Sequence, residues 1–375
     1  NEYQAKHLFV LVGKNPLPNV VAIRLLKPAD GQVYLVHTSP LAPIVPRICT
    51  AAGLTLDTDA FPISINDEKG AQIVTKVAAA AKGKTSLGLN YTGGTKHMVL
   101  HAFQGIQQAA QANHVQPVLS YLDGATLSMR IEHLGAASHN FAVDTATKLE
   151  LTELLALHGN KIGSCSESAI RPEIYPALAR LDPKEITGWF QKARDGKNSD
   201  QQRDIPLPDI PALSTHWEGC TTVGELADHY GISMQDMGKW FAGHWLEHYT
   251  LAAFQQIATE CDIHASAMNL KTPDFEFDVV ALKGYQLFAV SCVTKSSKND
   301  IKQKLFEAYI RARQMGGDEA RVAVVCHAPK HGDSSPRRIE HEIKQSWDVE
   351  GTIRIFGEEQ LPQLARHLAG WIGKK

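Results

Sequence analysis

Over its first 160 residues the chain alternates short apolar runs with stretches of helical spacing. Residues 8–12 form a continuous apolar run of strand length. The segment that follows, Gly13-Lys14-Asn15-Pro16-Leu17-Pro18-Asn19, carries two prolines that predict a loop. Helical spacing over 20–26 leads to a second strand at 33–36, which ends in His37-Thr38-Ser39-Pro40. An alanine-rich helix is predicted over 71–81, a strand over 85–89, a long helix over 94–113 and a strand over 116–122. Such alternation predicts a parallel sheet covered by helices on both faces, with ligands bound beyond the carboxyl ends of the strands. The polar tips at 13–19, 38–39 and 90–96 all fall at those ends and are expected to converge in one crevice.

Residues 182–217 are charged and punctuated by proline, which reads as a surface excursion between domains. Residues 222–233 then predict a helix and a turn. A final unit starts near Gly238 with a long helix to residue 261. Strands at 275–282 and 286–293 follow, hinged at Lys283-Gly284-Tyr285, then a helix over 301–315, a strand over 321–326, a helix over 336–347 and a strand over 352–356. The pattern thus predicts three segments: an α/β unit over 1–160, a connecting region over 161–237 and a second, smaller α/β unit over 238–375.

Composition narrows the function. A length of 375 residues suits two domains of roughly 150 residues and a connection. The 43% hydrophobic and 21% charged fractions exclude wholesale disorder. A net charge of −2 provides no global basic field, so a polyanion must be held at a local site. The six cysteines, none in a Cys-x-x-Cys pair, fit a reducing cytoplasm better than a disulfide framework or a zinc ribbon. The longest apolar runs fall far short of the ~20 residues of a membrane span, so no membrane partner is expected.

Asn90-Tyr91-Thr92-Gly93-Gly94-Thr95-Lys96 joins a predicted strand to a predicted helix. Two glycines let the backbone approach a ligand, helix-start amides face outward, and Thr92, Thr95 and Lys96 add donors. This is the local chemistry of an anion site, without the spacing of a Walker loop. Together with Leu119-Ser120-Tyr121-Leu122-Asp123 on the next strand and Leu154-Leu155-Ala156-Leu157-His158-Gly159, the motif resembles the Rossmann-like CARF domain of CRISPR-associated ancillary effectors. The resemblance covers roughly residues 8–159. It implies a homodimer whose groove binds a cyclic oligoadenylate, most often cyclic tetra-adenylate. It also implies Asn15, Pro18, Asn19, Thr38, Ser39, Asn90, Thr92, Gly93, Gly94, Thr95 and Lys96 as ligand contacts. A two-fold ring meeting an isologous dimer would repeat each contact in both subunits.

In the last unit, Phe275-Glu276-Phe277-Asp278-Val279-Val280 sets Glu276 and Asp278 on one face of a strand. Neighbouring carboxylates repel unless a cation lies between them, and hard oxygen ligands suit Mg²⁺ or Mn²⁺. Glu247, in Gly243-His244-Trp245-Leu246-Glu247, stands on the preceding helix. These segments, with Gly316-Gly317-Asp318-Glu319-Ala320-Arg321, resemble the PD-(D/E)XK (restriction-endonuclease-like) α/β domain of CARF-linked nucleases over about residues 238–372. Where that family carries Glu-x-Lys on the second hairpin strand, this chain has Ser291 and Val293. The missing lysine is expected from Lys304, with Lys295 and Lys302 as alternatives, and Glu307 is expected to be solvated. The resemblance implies metal-assisted phosphodiester hydrolysis by Glu276, Asp278, Glu247 and Lys304, the three acids being the metal ligands.

One alternative comes from a different class. Leu226-Ala227-Asp228-His229-Tyr230-Gly231-Ile232-Ser233 has helix-turn-helix spacing, so the chain is alternatively a ligand-gated DNA-binding transcription regulator with an inactive nuclease-like domain. Against this, Met234-Gln235-Asp236-Met237-Gly238-Lys239 is no basic recognition helix. Trp240 and Trp245 are expected to pack rather than stack on bases.

Overall fold

The computed structural model describes residues 3–133, 137–170, 172–294, 297–346 and 351–373. The chain divides into two compact units. The first comprises Asn1–Lys161 with two later segments, Lys283–Gln286 and Arg313–Glu319; the second comprises Ile162–Leu282, Leu287–Ala312 and Ala320–Lys375.

Unit 1 is built on a seven-stranded sheet. Its strands are β1 (His7–Leu11), β2 (Gln32–Thr38), β3 (Ala60–Ile65), β4 (Leu87–Asn90), β5 (Val118–Asp123), β6 (Ser128–His133) and β7 (His139–Ala142), in the order β3-β2-β1-β4-β5-β6-β7. The first five run parallel, and β6 and β7 extend the edge antiparallel. The helices are α1 (Leu17–Leu26), α2 (Val45–Ala52), α3 (Gly70–Ala81), α4 (Lys96–Asn113) and α5 (Leu151–Leu157). Phe9, Leu11, Tyr34 and Val36 form one buried cluster with Ile73 and Val77 of α3 and Ile106 of α4. The prolines at 16 and 18 do not keep this stretch a loop. α1 starts at Leu17 with proline in its first turn, where the missing N–H would lack an intrahelical partner in any case.

Unit 2 holds a six-stranded sheet whose strands lie side by side in chain order. It opens with β8 (Ser164–Ser166) and continues through α6 (Tyr175–Leu178), α7 (Pro183–Arg194), α8 (Ser199–Arg203) and α9 (Pro211–Ser214). These are followed by α10 (Val223–Tyr230), α11 (Met234–Lys239), α12 (Trp245–Gln256) and α13 (Ala258–Cys261). The remainder is β9 (Ile263–Lys271), β10 (Glu276–Lys283), β11 (Gln286–Val293), α14 (Lys298–Gly316), β12 (Arg321–Cys326), α15 (Pro336–Ser346), β13 (Ile353–Phe356) and α16 (Leu364–Gly373). The expected extension of the 336 helix to Trp347 lies outside the described residues.

Residues 182–217, expected as a surface excursion, help to build the core. Ile186, Phe190, Ile205, Leu213 and Trp217 are buried in one cluster with Phe241, Trp245, Val279 and Val325. Proline and charge marked the ends of short helices here, while the apolar residues between them point inward. The helix-turn-helix pattern is equally structural: α10 ends at Gly231 in the left-handed region (φ 62°), and its Val223, Leu226 and Ala227 are buried, as is Met237 of α11. Trp240 and Trp245 are buried as expected.

The helix expected over 238–261 is interrupted. A π-type turn over Trp240–His244 breaks at Gly243 (φ 126°), and α12 starts afresh at Trp245. A Cβ at Gly243 would stand 2.9 Å from Thr294 Cγ2, so both the torsion and the space require glycine. The break aims the first turn of α12, which carries Glu247.

Candidate functional site

In unit 1 the carboxyl ends of β2, β1 and β4 lie side by side, and strand order reverses about β1. This is the switch point at which an open α/β sheet leaves a crevice. Gly93 packs so closely there that a Cβ would fall on the Leu11 carbonyl oxygen and stand 2.7 Å from Gly13 N. Gly94 takes a left-handed φ of 81°. Thr95 caps α4, its Oγ1 accepting from Met98 N at 3.1 Å. Ser39, Gly94, Thr95 and Lys96 are exposed, and Thr38, Thr92 and Gly93 are half-buried. The start of an 18-residue helix, the Ser39 hydroxyl and the Lys96 ammonium are therefore exposed at the carboxyl ends of these strands.

The asparagines among the expected contacts serve the scaffold. Asn19 is fully buried and its Nδ2 donates to Leu11 O at 2.9 Å. Asn90, also fully buried, donates to Ser120 Oγ at 3.1 Å and ties β4 to β5. Pro18 is buried within α1. Thr92 Oγ1 accepts from Leu122 N at 2.7 Å. These four shape the crevice from beneath.

Asn15 is engaged at both ends of its amide. Its Oδ1 accepts from Leu17 N at 3.1 Å, and its Nδ2 donates to Glu319 Oε2 at 3.2 Å. Glu319 was legible only as part of a nuclease-like motif, yet it belongs by packing to unit 1. It is 2% exposed, and burial pushes its carboxyl up to about 7. Gln286 Nε2 donates to its carbonyl at 2.9 Å. His158 Nε2 lies 3.4 Å from Asn15 Oδ1, and burial lowers this imidazole to about 4.

The raised Glu319 carboxyl makes a pH prediction. The folded chain holds that proton more tightly than the unfolded chain does. The stabilisation is complete below the ordinary carboxylate range and is lost as pH rises through about 7. Glu319→Gln keeps the shape without the ionisation. Its melting temperature is expected to stay near that of the wild type at about pH 5 and to exceed it at about pH 8.5, where the difference in stability is on the order of 2 kcal/mol. Thermal unfolding at the two pH values checks this.

In unit 2 a second group of polar side chains gathers on β10, β11, α12 and α14. Asp278 Oδ2 accepts from Cys292 N at 2.8 Å. Desolvation raises the Asp278 carboxyl and the Glu247 charge raises it further, whereas the Cys292 amide, Lys304 and Ser291 act the other way. Glu247, half-buried, acts on it electrostatically. His244 Nδ1 stands 3.3 Å from Glu247 Oε2, and this carboxylate raises the imidazole. The pair is close but poorly aligned, which leaves Oε2 buried without a well-formed hydrogen bond. Burial, with the Asp278 and Glu247 charges, holds the Cys292 thiol well above its ordinary range.

The structure sorts the expected catalytic residues. Glu247 and Lys304 both act on Asp278. Glu276 shares a strand face with Asp278, but its half-exposed side chain pairs with Lys271 Nζ at 3.6 Å. Lys302 Nζ is taken by Glu342 Oε2 at 2.7 Å, and Lys295 lies outside the described residues. Glu307, expected to be solvated, is 3.7 Å from Lys304 Nζ. Ser291 is a neutral partner of Asp278. Sequence reasoning missed His244 because it lies in a turn that the pattern read as continuous helix.

Among the described residues no group of three or more His, Cys, Asp or Glu side chains is arranged to hold a metal ion. Two carboxylates do fit one. Glu247 has an oxygen without a well-formed partner, Asp278 is desolvated and raised by it, and Mg²⁺ commonly takes only one or two protein carboxylates with water and phosphate oxygens.

No protein-family model matches the sequence, and neither does any curated protein. Solved structures do. Can2 from Sulfobacillus thermosulfidooxidans, in complex with cyclic tetra-adenylate, is similar over 98% of this chain and 97% of its own, at 19% identity and a TM-score of 0.67. Protein VC1899 from Vibrio cholerae is similar over 98% of each chain, at 15% identity and a TM-score of 0.68. A type III CRISPR defence DNA nuclease activated by cyclic oligoadenylate matches over 86% of this chain and 46% of its own, at 16% identity and a TM-score of 0.53. At these identities the likeness establishes the fold, and it is the one that the CARF-linked resemblance implies: this chain has the architecture of Can2 and VC1899 from end to end.

Proposed function

We propose that the chain is a nuclease of type III CRISPR defence, switched on by cyclic tetra-adenylate and dependent on Mg²⁺ or Mn²⁺, that hydrolyses phosphodiester bonds of RNA or DNA. One conjunction carries this reading. A fold shared over nearly its full length with cyclic tetra-adenylate-bound Can2 combines exposed donors at the strand ends of unit 1 with a desolvated carboxylate, Asp278, its neighbour Glu247 and a lysine in unit 2. The activator's phosphates would meet the α4 amides, Thr95 and Lys96, with Thr38 and Ser39 on the facing loop. Two copies pairing side by side would present this set twice to a two-fold ring.

Asp278 and Glu247 are the residues to hold the cation, and Glu276 is left at the rim with Lys271. A divalent cation bound there polarises the scissile phosphate and acidifies a water. Lys304 supplies positive charge against the negative charge that develops on the phosphate, from a helix rather than from the hairpin strand. The π-type break at Gly243 and the Cys292 amide fix the two carboxylates. Asp278 must be ionised to serve. Its raised carboxyl therefore predicts cleavage that climbs as pH rises through its titration.

The paired lysines test the assignment. Lys304→Met is expected to lower cleavage of labelled RNA or DNA about a hundredfold, with Mn²⁺ and cyclic tetra-adenylate present. Lys302→Met, which loses only the Glu342 pair, should cut within about threefold of wild type. The reverse ranking would move the catalytic lysine.

A further inference from the structure

Unit 2 contains a cavity of about 840 Å³ that the chemistry above does not use. Two of its lining residues, Thr294 and His327, directly follow β11 and β12. These are the carboxyl ends of parallel strands, where such sheets take ligands. Thr294 also abuts Gly243, the break that aims Glu247, so cavity and carboxylates share one joint. The facing wall is the start of α7, capped by Asp182 through its contact with Lys184 N at 2.9 Å.

The lining decides which part of a nucleotide belongs there. Asp182, Asp300 and Glu358 outnumber Arg180 and Lys184, which disfavours a phosphate. Pro183 and Pro329 offer flat apolar surface. His327 is 7% exposed, packs edge-on against Trp245 at 5.7 Å between ring centres, and has an Nε2 with no hydrogen-bond partner. Burial lowers this imidazole to about 4. It is therefore neutral at physiological pH, with one donor and one acceptor, as suits an uncharged heterocycle.

We propose that this cavity is a base-reading subsite, which takes one nucleobase of the substrate strand beside the scissile phosphate and reads it with His327 and Asp182. The inference rests on the nuclease reading and deepens it. A carboxylate accepts from an exocyclic amine, so adenine, cytosine or guanine is favoured over uracil and thymine at that position.

The test is to sequence product ends from a random-sequence oligonucleotide pool cut by wild type, His327→Ala and Asp182→Asn, with Mn²⁺ and cyclic tetra-adenylate. Asn still caps a helix, so the second variant keeps the start of α7. Wild type is expected to favour amine-bearing bases at one position beside the cut. Each variant should flatten that preference about tenfold, raising KM more than it lowers kcat. Indifferent cutting by wild type, or a preference that survives in both variants, overturns the subsite. If wild type cuts nothing, the nuclease reading fails, and calorimetric titration with adenosine, cytidine, guanosine and uridine decides the cavity separately. Binding of the first three that weakens in His327→Ala supports it, and no such binding overturns it.

Discussion

Asp278→Asn is expected to abolish metal-dependent cleavage, by on the order of 10²–10³-fold, and at the same time to make the protein more stable. Both effects follow from one cause. The Asp278 carboxyl is held away from water and beside Glu247, so burial raises its titration above the ordinary range. A raised carboxyl means that the folded chain binds the proton more tightly than the unfolded chain. Its stabilisation is present below the ordinary carboxylate range and is lost as pH rises through the raised value. At neutral pH the ionised form is thus a burden on the fold. Asparagine keeps an acceptor for the Cys292 amide and removes the charge. Thermal unfolding should show a higher melting temperature for the variant at about pH 7.5, with the difference shrinking in acid. Loss of activity with gain of stability separates a functional carboxylate from a structural one. A variant that lost both would mark Asp278 as scaffold.

Gly93→Val carries the second large effect. A Cβ at this position falls on the Leu11 carbonyl oxygen and crowds Gly13 N, both of them backbone atoms that have no rotamer to yield. The Leu11 carbonyl is also gripped by Asn19 and stands at the end of β1, the strand about which the order of the sheet reverses. The loop must therefore move away from β1, and the donors of Thr95 and Lys96 move with it. The expected cost to stability is about 1–3 kcal/mol. The concentration of cyclic tetra-adenylate needed for half-maximal cleavage should rise a hundredfold or more, as roughly 3 kcal/mol of lost binding requires. Titrating the activator against cleavage, with circular dichroism to confirm folding, checks both parts. An unchanged midpoint would place the activator elsewhere.

The sequence exposed those parts of the fold whose burial is complete. β1, β2, β4, β11 and β12 are continuous apolar runs because both faces of a parallel sheet are covered, and each was legible. β6 and β7 were not. Ser128–His133 mixes buried and exposed positions, and His139–Ala142 is a largely exposed edge without apolar alternation. The break at Gly243 escaped because glycine inside a helical pattern is tolerated too often to signal a kink. At the sites, residue type was legible and partnership was not. Asn19 and Asn90 are polar in a polar stretch, and only the fold shows that each spends its amide on backbone or a neighbouring strand. Lys302 and Lys304 share one helix, and the acid that separates them, Glu342, sits on another. Glu319 packs into a unit made mostly of residues 1–161, a closure that no local pattern encodes.

The central claim is that one chain couples recognition of a cyclic oligonucleotide to metal-dependent hydrolysis. Its most direct test is the cleavage rate of labelled RNA and of supercoiled DNA by wild-type protein under four conditions: neither addition, Mn²⁺ alone, cyclic tetra-adenylate alone, and both. The account predicts cleavage only with both, suppressed by a chelator. Equal cleavage with and without the activator, or cleavage that persists in the chelator, would contradict it.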